Sequence, residues 1–370
     1  MQSKKKSETV LVAMSGGVDS SVVAAILKKR GYQVIGLTMQ IWQESQRDPR
    51  HSGCCSLGAV EDARRVARIL DIPHYVINFK DAFRRNVIDH FIDEYAAGRT
   101  PNPCVECNRK VKFDALLEKM KELGCDRLAT GHYARIRYDA NLNRYKLMKA
   151  RAKSKDQSYV LYMLSQDQLS KLYFPLGELP SKSQTRELAQ QFCLPVANKP
   201  DSQEICFVSE AGGYAEFLRK EKPELFNPGK ILDHEGKEMG VHEGVVGFTV
   251  GQRRGIQAQS KDGRPLYVLR LEPKSNNVVV GKDEDLLQDE VVLENMIWSS
   301  KTADQTPIRI EAKIRYNMFA QKARLYSNGQ TKLVFDEPVR AVTPGQIAVA
   351  YQGQTVVGGG IISASVSTNS

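Results

Sequence analysis

Thr9-Val10-Leu11-Val12-Ala13-Met14-Ser15-Gly16-Gly17-Val18-Asp19-Ser20-Ser21 is the stretch on which the fold turns. Thr9 to Met14 is an apolar run, mostly of β-forming residues, with the length of a buried strand. From Ser20 to Arg30 the period changes: Val22, Val23, Ile26 and Leu27 fall on one helical face, and Gly31 supplies the stop. Two adjacent glycines lie between, flanked by serines, with an aspartate at the helix start. Glycines let the backbone approach an anion closely, and the free amides of a first helical turn point at it. The loop lacks the Gly-Lys-Ser/Thr of a Walker A motif and is not the Gly-x-Gly-x-x-Gly of a dinucleotide fingerprint. A plain structural turn is the bland alternative, but it would need neither the second glycine nor the serines.

Further along, strand and helix patterns alternate as in βαβ units. Gln33 to Trp42, His74 to Phe79 and Arg127 to Thr130 read as strands. Ala59 to Leu70, Phe83 to Ala97 and Arg109 to Leu123 read as helices. The expected fold is an α/β doubly wound, mostly parallel sheet with helices on both faces. After Ser209 the signal changes to Gly-rich short strands and turns. From Val291 the chain looks all-β: Ile308, Ile310, Ala312, Ile314 and Tyr316 alternate with Arg309, Glu311, Lys313 and Arg315. Asn328-Gly329 between two strand runs predicts a type I′ hairpin. The expected domains are 1–208, a small loop-rich central domain over 209–282, and a C-terminal β-barrel over 283–370.

Composition bounds the function. With 41% hydrophobic and 26% charged residues in 370, the chain is that of a soluble globular protein too long for one core. No run of about 18 apolar residues exists, so no membrane span is expected. The basic start, Met1 to Glu8, is followed by a strand pattern and not by a signal-peptide core, which predicts a cytoplasmic protein. A net charge of +10 favours a polyanionic partner, although a merely basic surface would give the same number. Seven irregularly spaced cysteines argue against a disulfide framework and leave catalysis, metal binding or redox work.

Gly98-Arg99-Thr100-Pro101-Asn102-Pro103-Cys104-Val105-Glu106-Cys107-Asn108 is the most informative cysteine segment. Two prolines stiffen the approach, and Asn108 suits the N-cap of a following helix. Cys107 is then expected at a helix N-terminus beside Arg109, Lys110 and Lys112, where a thiolate is stabilised. A pair of inert core cysteines is the competing reading. Cys206, in Asp201-Ser202-Gln203-Glu204-Ile205-Cys206-Phe207, proves little by itself. Cys54, Cys55, Cys125 and Cys193 read as structural.

The loop Ser15 to Ser21 resembles the signature of the PP-loop ATP pyrophosphatase superfamily, whose members adenylate an oxygen and release pyrophosphate. Alone it leaves the substrate open. Further landmarks are Gly98–Asn108, Ala129–Tyr133, Lys155–Tyr159, Asp201–Phe207, Gly251–Gly255 and Thr343–Gln346. With them the chain is similar, over nearly its whole length, to the bacterial tRNA-specific 2-thiouridylase family. The resemblance implies ATP, with Mg²⁺, on Ala13, Met14, Ser15, Gly16, Gly17, Val18, Asp19 and Ser20, with Met39 and Gly131 lining the pocket. It implies Cys107 as catalytic nucleophile and Cys206 as persulfide carrier, ending as a Cys107–Cys206 disulfide. Asn102, Pro103 and Cys104 align with positions that meet the target base. His132, Lys155, Asp156, Gln157, Arg315, Tyr316 and Gln346 align with tRNA contacts. The implied partners are tRNAs of the Lys, Glu and Gln type, through their wobble uridine, and a cysteine desulfurase or a sulfur relay fed by one. Many family members carry aspartate where this chain has Cys104. Cys104, Cys107 and Cys206 could instead hold a [4Fe–4S] cluster with one open iron, and the sequence leaves this choice open. An adenylating enzyme for a small molecule, or a non-catalytic RNA-binding protein with a structural cluster or zinc site, are the alternatives from other classes.

Overall fold

The computed structural model describes residues 8–42, 57–201, 205–258, 260, 263–299 and 306–363. Cys54, Cys55 and Ser202 to Glu204 lie outside them. The residues group into two compact units, one of 1–87, 104–206 and 354–356, the other of 88–103, 207–353 and 357–370.

In the first unit β1 (Thr9–Ala13), β2 (Gln33–Gln40), β3 (His74–Asn78), β4 (Arg127–Ala129) and a short β7 (Leu172–Tyr173) form one sheet. Its order is β3-β2-β1-β4-β7, and every pairing is parallel. β1 is buried at Val10, Leu11 and Val12, as a central strand covered on both faces must be. The helix Val18–Lys29 packs Val22, Val23 and Leu27 into the same core. The strand order reverses between β1 and β4, and a doubly wound sheet opens its ligand crevice at the carboxyl ends of such a pair. The loops after β1 and β4 are therefore the place to look for a site. β5 (Ala134–Asp139) and β6 (Arg144–Lys149) form an antiparallel hairpin after β4.

The second unit carries two β structures. β8 (Gly229–Leu232), β9 (Glu238–His242), β10 (Tyr267–Glu272) and β11 (Asn277–Gly281) form a sheet in the order β10-β11-β8-β9. β12 (Leu287–Trp298), β13 (Ile308–Lys313), β14 (Gln321–Tyr326), β15 (Lys332–Arg340), β16 (Ile347–Gln352) and β17 (Thr355–Ile362) follow in the order β12-β15-β14-β13-β16-β17. β12 also pairs with β17, which closes a six-stranded barrel. Ile308, Ile310 and Ala312 point into its core while Arg309 is exposed, as their alternation predicts. The hairpin at Asn328-Gly329 forms, but not with a type I′ turn. Tyr326 pairs with Lys332, so five residues make the loop, and of them Gly329 alone has a positive φ. A type I′ turn would need two such residues in succession.

Residues 88–103 join this unit through aromatic packing. Phe91 lies 5.2 Å from Phe207 and 6.0 Å from Phe217, while Tyr95 stacks on Tyr214 at 5.0 Å. Phe91→Ala should destabilise the second unit by about 3–5 kcal/mol through the cavity it leaves. A drop of that size in urea-unfolding free energy is the expected result, and less than about 1 kcal/mol would contradict the packing.

Candidate functional site

The loop after β1 is built to receive an anion. Gly16 adopts φ +70°, and a Cβ there would lie 2.0 Å from the Ala59 carbonyl oxygen, so only glycine fits. Gly17 occupies the N-cap and offers no side-chain acceptor, leaving the first-turn amides available. The serine hydroxyls turn inward instead: Ser20 Oγ accepts the Ser15 amide at 3.1 Å, and Ser21 Oγ donates to the Gly17 carbonyl at 2.8 Å. Gly131, after β4, sits against this helix start. A Cβ on it would come within 3.0 Å of Asp19 Cβ and the Ser20 amide nitrogen. Met39 lies near the end of β2, half-buried. The loops of the switch point thus meet, as the sheet order requires.

Charged residues from far along the chain converge on the same helix start. Lys182 Nζ lies 2.7 Å from both Asp19 carboxylate oxygens and 2.8 Å from Asp201 Oδ1. Lys155 holds the other Asp201 oxygen at 2.9 Å, and Arg186 stands 3.4 Å away. Burial pushes the Asp201 carboxyl up, but hydrogen bonds from Lys182 and Lys155 outweigh it and leave the group below its ordinary value. Lys199 Nζ donates to the Gly16 carbonyl at 3.1 Å and pairs with Asp62 at 2.7 Å. Tyr133 donates its hydroxyl hydrogen to Asp19 at 2.8 Å. Sequence reasoning missed Lys182, Arg186 and Lys199 as site residues. They lie more than 160 positions from the loop on a polar helix and in a turn, and no local pattern marks them.

The cysteines are placed differently from expectation. The helix begins at Pro103, a residue suited to a first helical position, and runs without a break over 103–122. Cys104, exposed, occupies its first turn; Cys107, 7% exposed, lies one turn in, where it opens a π-helical segment, Cys107–Phe113. Asn108 is therefore not an N-cap. It is buried, donates its amide to the Val160 carbonyl at 3.0 Å, and leaves its Oδ1 with no donor. The widened turn of a π segment accommodates such a residue and is a frequent mark of functional sites. Cys206 is half-buried at the start of a short helix, Cys206–Glu210. All five described cysteines are thiols. Among the described residues no three Cys, His, Asp or Glu side chains are gathered closely enough to hold a single metal ion.

Several residues aligned with tRNA contacts act as braces. Gln346 Nε2 donates to the Thr100 and Pro101 carbonyls at 3.0 and 3.3 Å, and the Thr100 amide donates to the Pro344 carbonyl. These bonds fix the chain just before Asn102 and Pro103. Arg315 Nη2 reaches the Val250 and Ala341 carbonyls and Thr343 Oγ1. Asp156 accepts from the Ala150 amide and from the amide and hydroxyl of Ser158, and Gln157 accepts from the Tyr133 amide. Tyr316 remains exposed.

His132 packs its ring between Phe113 and Phe174 and shares a 2.7 Å hydrogen bond with Thr130 Oγ1. Burial, then the nearby Lys112 charge, push its pKa from 6.5 down to about 3, so it is neutral at physiological pH. Between those values the unfolded chain takes up a proton that folded His132 refuses. Stability should therefore be complete above pH 6.5 and fall steadily on acidification towards pH 3. His132→Gln should flatten that limb, by a few kcal/mol (order of magnitude) at pH 4; parallel unfolding curves for both proteins would contradict it.

Three family models match in succession: "tRNA methyl transferase HUP domain" over residues 8–210, "tRNA methyl transferase PRC-barrel domain" over 215–282 and "Aminomethyltransferase beta-barrel domain" over 288–362. The tRNA-specific 2-thiouridylase MnmA of Acetivibrio thermocellus is 48% identical over 97% of this chain and 99% of its own length. The protein of the same name from Caldicellulosiruptor saccharolyticus is 49% identical over 97% of this chain and 98% of its own. Among solved structures, a complex of a 4-thiouridine synthetase with RNA and bound ATP aligns at 16% identity, TM-score 0.35, over 59% of this chain and 51% of that one. Among the described residues no helix is long and apolar enough to cross a membrane. The full-length identity to these relatives, over all three matched segments, makes the chain a member of the tRNA-specific 2-thiouridylase family, and an enzyme.

Proposed function

We propose that this enzyme uses ATP to replace the C2 oxygen of a tRNA wobble uridine by sulfur. One observation carries the reading: within one unit, Lys182 ties Asp19, beside the anion-receiving loop, to Asp201, and Cys206 follows five residues later. Five residues span at most about 18 Å, so the cysteine stays within reach of the loop.

In this reading Ala13 to Ser20 bind the nucleotide phosphates, Met39 and Gly131 line its pocket, and Mg²⁺ arrives with the phosphates. Asp19 and Asp201, each paired with Lys182, are carboxylates near the loop that would face such an ion. The C2 oxygen of the uridine attacks the α-phosphorus and pyrophosphate leaves, which turns a poor leaving group into a good one. The terminal sulfur of a Cys206 persulfide attacks C2, and AMP departs with the oxygen. The Cys107 thiolate then attacks Cys206 Sγ; the persulfide S–S bond breaks, the sulfur stays on C2, and a Cys107–Cys206 disulfide remains. An external dithiol reduces it, and a cysteine desulfurase or a relay fed by one renews the persulfide. At 7% exposure, Cys107 is shielded from solution thiols. Asn102, Pro103 and Cys104 receive the target base, held to position by the Gln346 bonds to Thr100 and Pro101. Lys155, Asp156, Gln157 and His132 in the first unit, and Arg315, Tyr316 and Gln346 in the second, contact the tRNA or hold the segments that do.

The test is thiolation of unmodified tRNA with ATP and a persulfide donor, under anaerobic conditions, with iron assayed on the same samples. Cys107→Ala and Cys206→Ala should lose at least a thousandfold in rate (order of magnitude), while Cys104→Ala keeps most of it. Loss in all three variants, with about four irons per wild-type chain, would replace the relay by the cluster. Thiolation by neither route would sink the assignment.

A further inference from the structure

The turn 314–320 between β13 and β14, whose Arg315 and Tyr316 enter the reading above, also carries a side chain that reading leaves unused. Phe319 is 91% exposed there, a level unusual for so large an apolar side chain, with Tyr316 beside it at 37%. The turn is not loose. Arg315 ties it to the Val250 and Ala341 carbonyls and Thr343, and the Ile314 amide donates to Met318 Sδ at 3.2 Å. Lys313 stands 5.6 Å above the Tyr316 ring.

The two strands that lead away from this turn are cationic on their outer face. Arg309 is paired directly with Arg324, and Lys322 sits in the next row opposite Glu311. Arg309, Lys322 and Arg324 are all exposed, and with Asp336 they line a cleft of about 540 Å³. Like charges directly opposed across a sheet are unfavourable, so an Arg–Arg pair is better suited to an anion between or above its guanidinium groups. Arg309 lies about 13 Å along the strand from Lys313 at the turn.

An apolar docking site for a protein would surround Phe319 with further apolar side chains. Along the chain here it is flanked only by the half-buried Met318 and Ala320, with Asn317 and Gln321 next to them and Lys313 at the start of the turn. Exposed rings interleaved with cations are the means by which unpaired bases are stacked and their phosphates held. We propose that Phe319, with Tyr316, is a stacking platform for an unpaired base of the bound RNA, and that Arg309, Lys322 and Arg324 grip phosphates of the same strand. The proposal rests on the tRNA reading above and adds to it where the barrel touches RNA.

Binding of unmodified substrate tRNA, followed by fluorescence anisotropy against salt concentration, tests it together with thiolation kinetics. Phe319→Ala should weaken binding about tenfold and raise the KM for tRNA by a similar factor, with a far smaller change in kcat. Phe319→Trp should retain affinity where Phe319→Leu does not. The Tm of each variant should match wild type, since the ring contributes almost no burial. Arg309→Ala with Arg324→Ala should reduce the slope of log affinity against log salt by about 1 to 2. If wild type binds and thiolates tRNA but Phe319→Ala is unchanged, the platform is wrong and the tRNA reading stands. If Phe319→Leu binds as well as Phe319→Trp, the turn is an apolar contact and no base stacks there. If wild type binds no tRNA at all, the platform and the tRNA reading fall together.

Discussion

The carboxylate of Asp19 fixes the active arrangement of the first unit. It projects from the first turn of the helix after β1, where it accepts Lys182 and the Tyr133 hydroxyl. Through Lys182 it is joined to Asp201, and through Asp201 to Lys155 and Arg186. Three stretches far apart in sequence are thereby gathered on one helix start. Lys182 is only 13% exposed, so each partner it lost would leave a charge poorly solvated, a far larger cost than for a surface pair. Asp201 shows the balance: burial alone would raise its pKa, and the two lysines reverse the sign.

The same network answers an electrostatic difficulty. If the loop takes the triphosphate as proposed, it must not present a bare carboxylate where the phosphates enter. With Asp19 neutralised by Lys182, and Lys199 on the Gly16 carbonyl, the loop surroundings stay receptive to negative charge. The helix amides add to this because Gly17 gives them no side-chain cap. Loop and lysines thus act in one direction although they come from opposite ends of the unit's sequence.

This division also explains what the sequence could and could not tell. The strand, loop and helix of residues 9–29 are contiguous, so their periods and glycines spell out the structure. The barrel strand Ile308–Lys313 is equally plain, because one face is buried and the other wet. Lys182 and Lys199 were invisible because their role depends on where the chain returns, which no local pattern encodes. The Cys107 segment misled for a different reason. Asn108 has the chemistry of an N-cap, but Pro103 starts the helix earlier, so Cys107 falls one turn inside and Asn108 is buried. Asn328-Gly329 has the composition of a tight turn, yet pairing from Tyr326 to Lys332 leaves a five-residue loop in which Asn328 need not turn left-handed.

Two residues of the second unit that align with RNA contacts, Gln346 and Arg315, spend their side chains on the protein's own backbone. Gln346 spends its amide on the backbone of Thr100 and Pro101, and Gly345 can approach Thr100 because a Cβ would come within 2.9 Å of its amide nitrogen. Arg315 spends its guanidinium on three acceptors of the barrel and its neighbour strands. Neither side chain can make these bonds and also wrap a phosphate without giving up partners that burial makes costly to lose. In the proposed reading their part is to hold other residues in place: Asn102 and Pro103 in one case, the turn bearing Tyr316 and Phe319 in the other. A strand that must be splayed open needs rigid surfaces to be splayed against, and under the proposed reading these two stiffened turns would supply them.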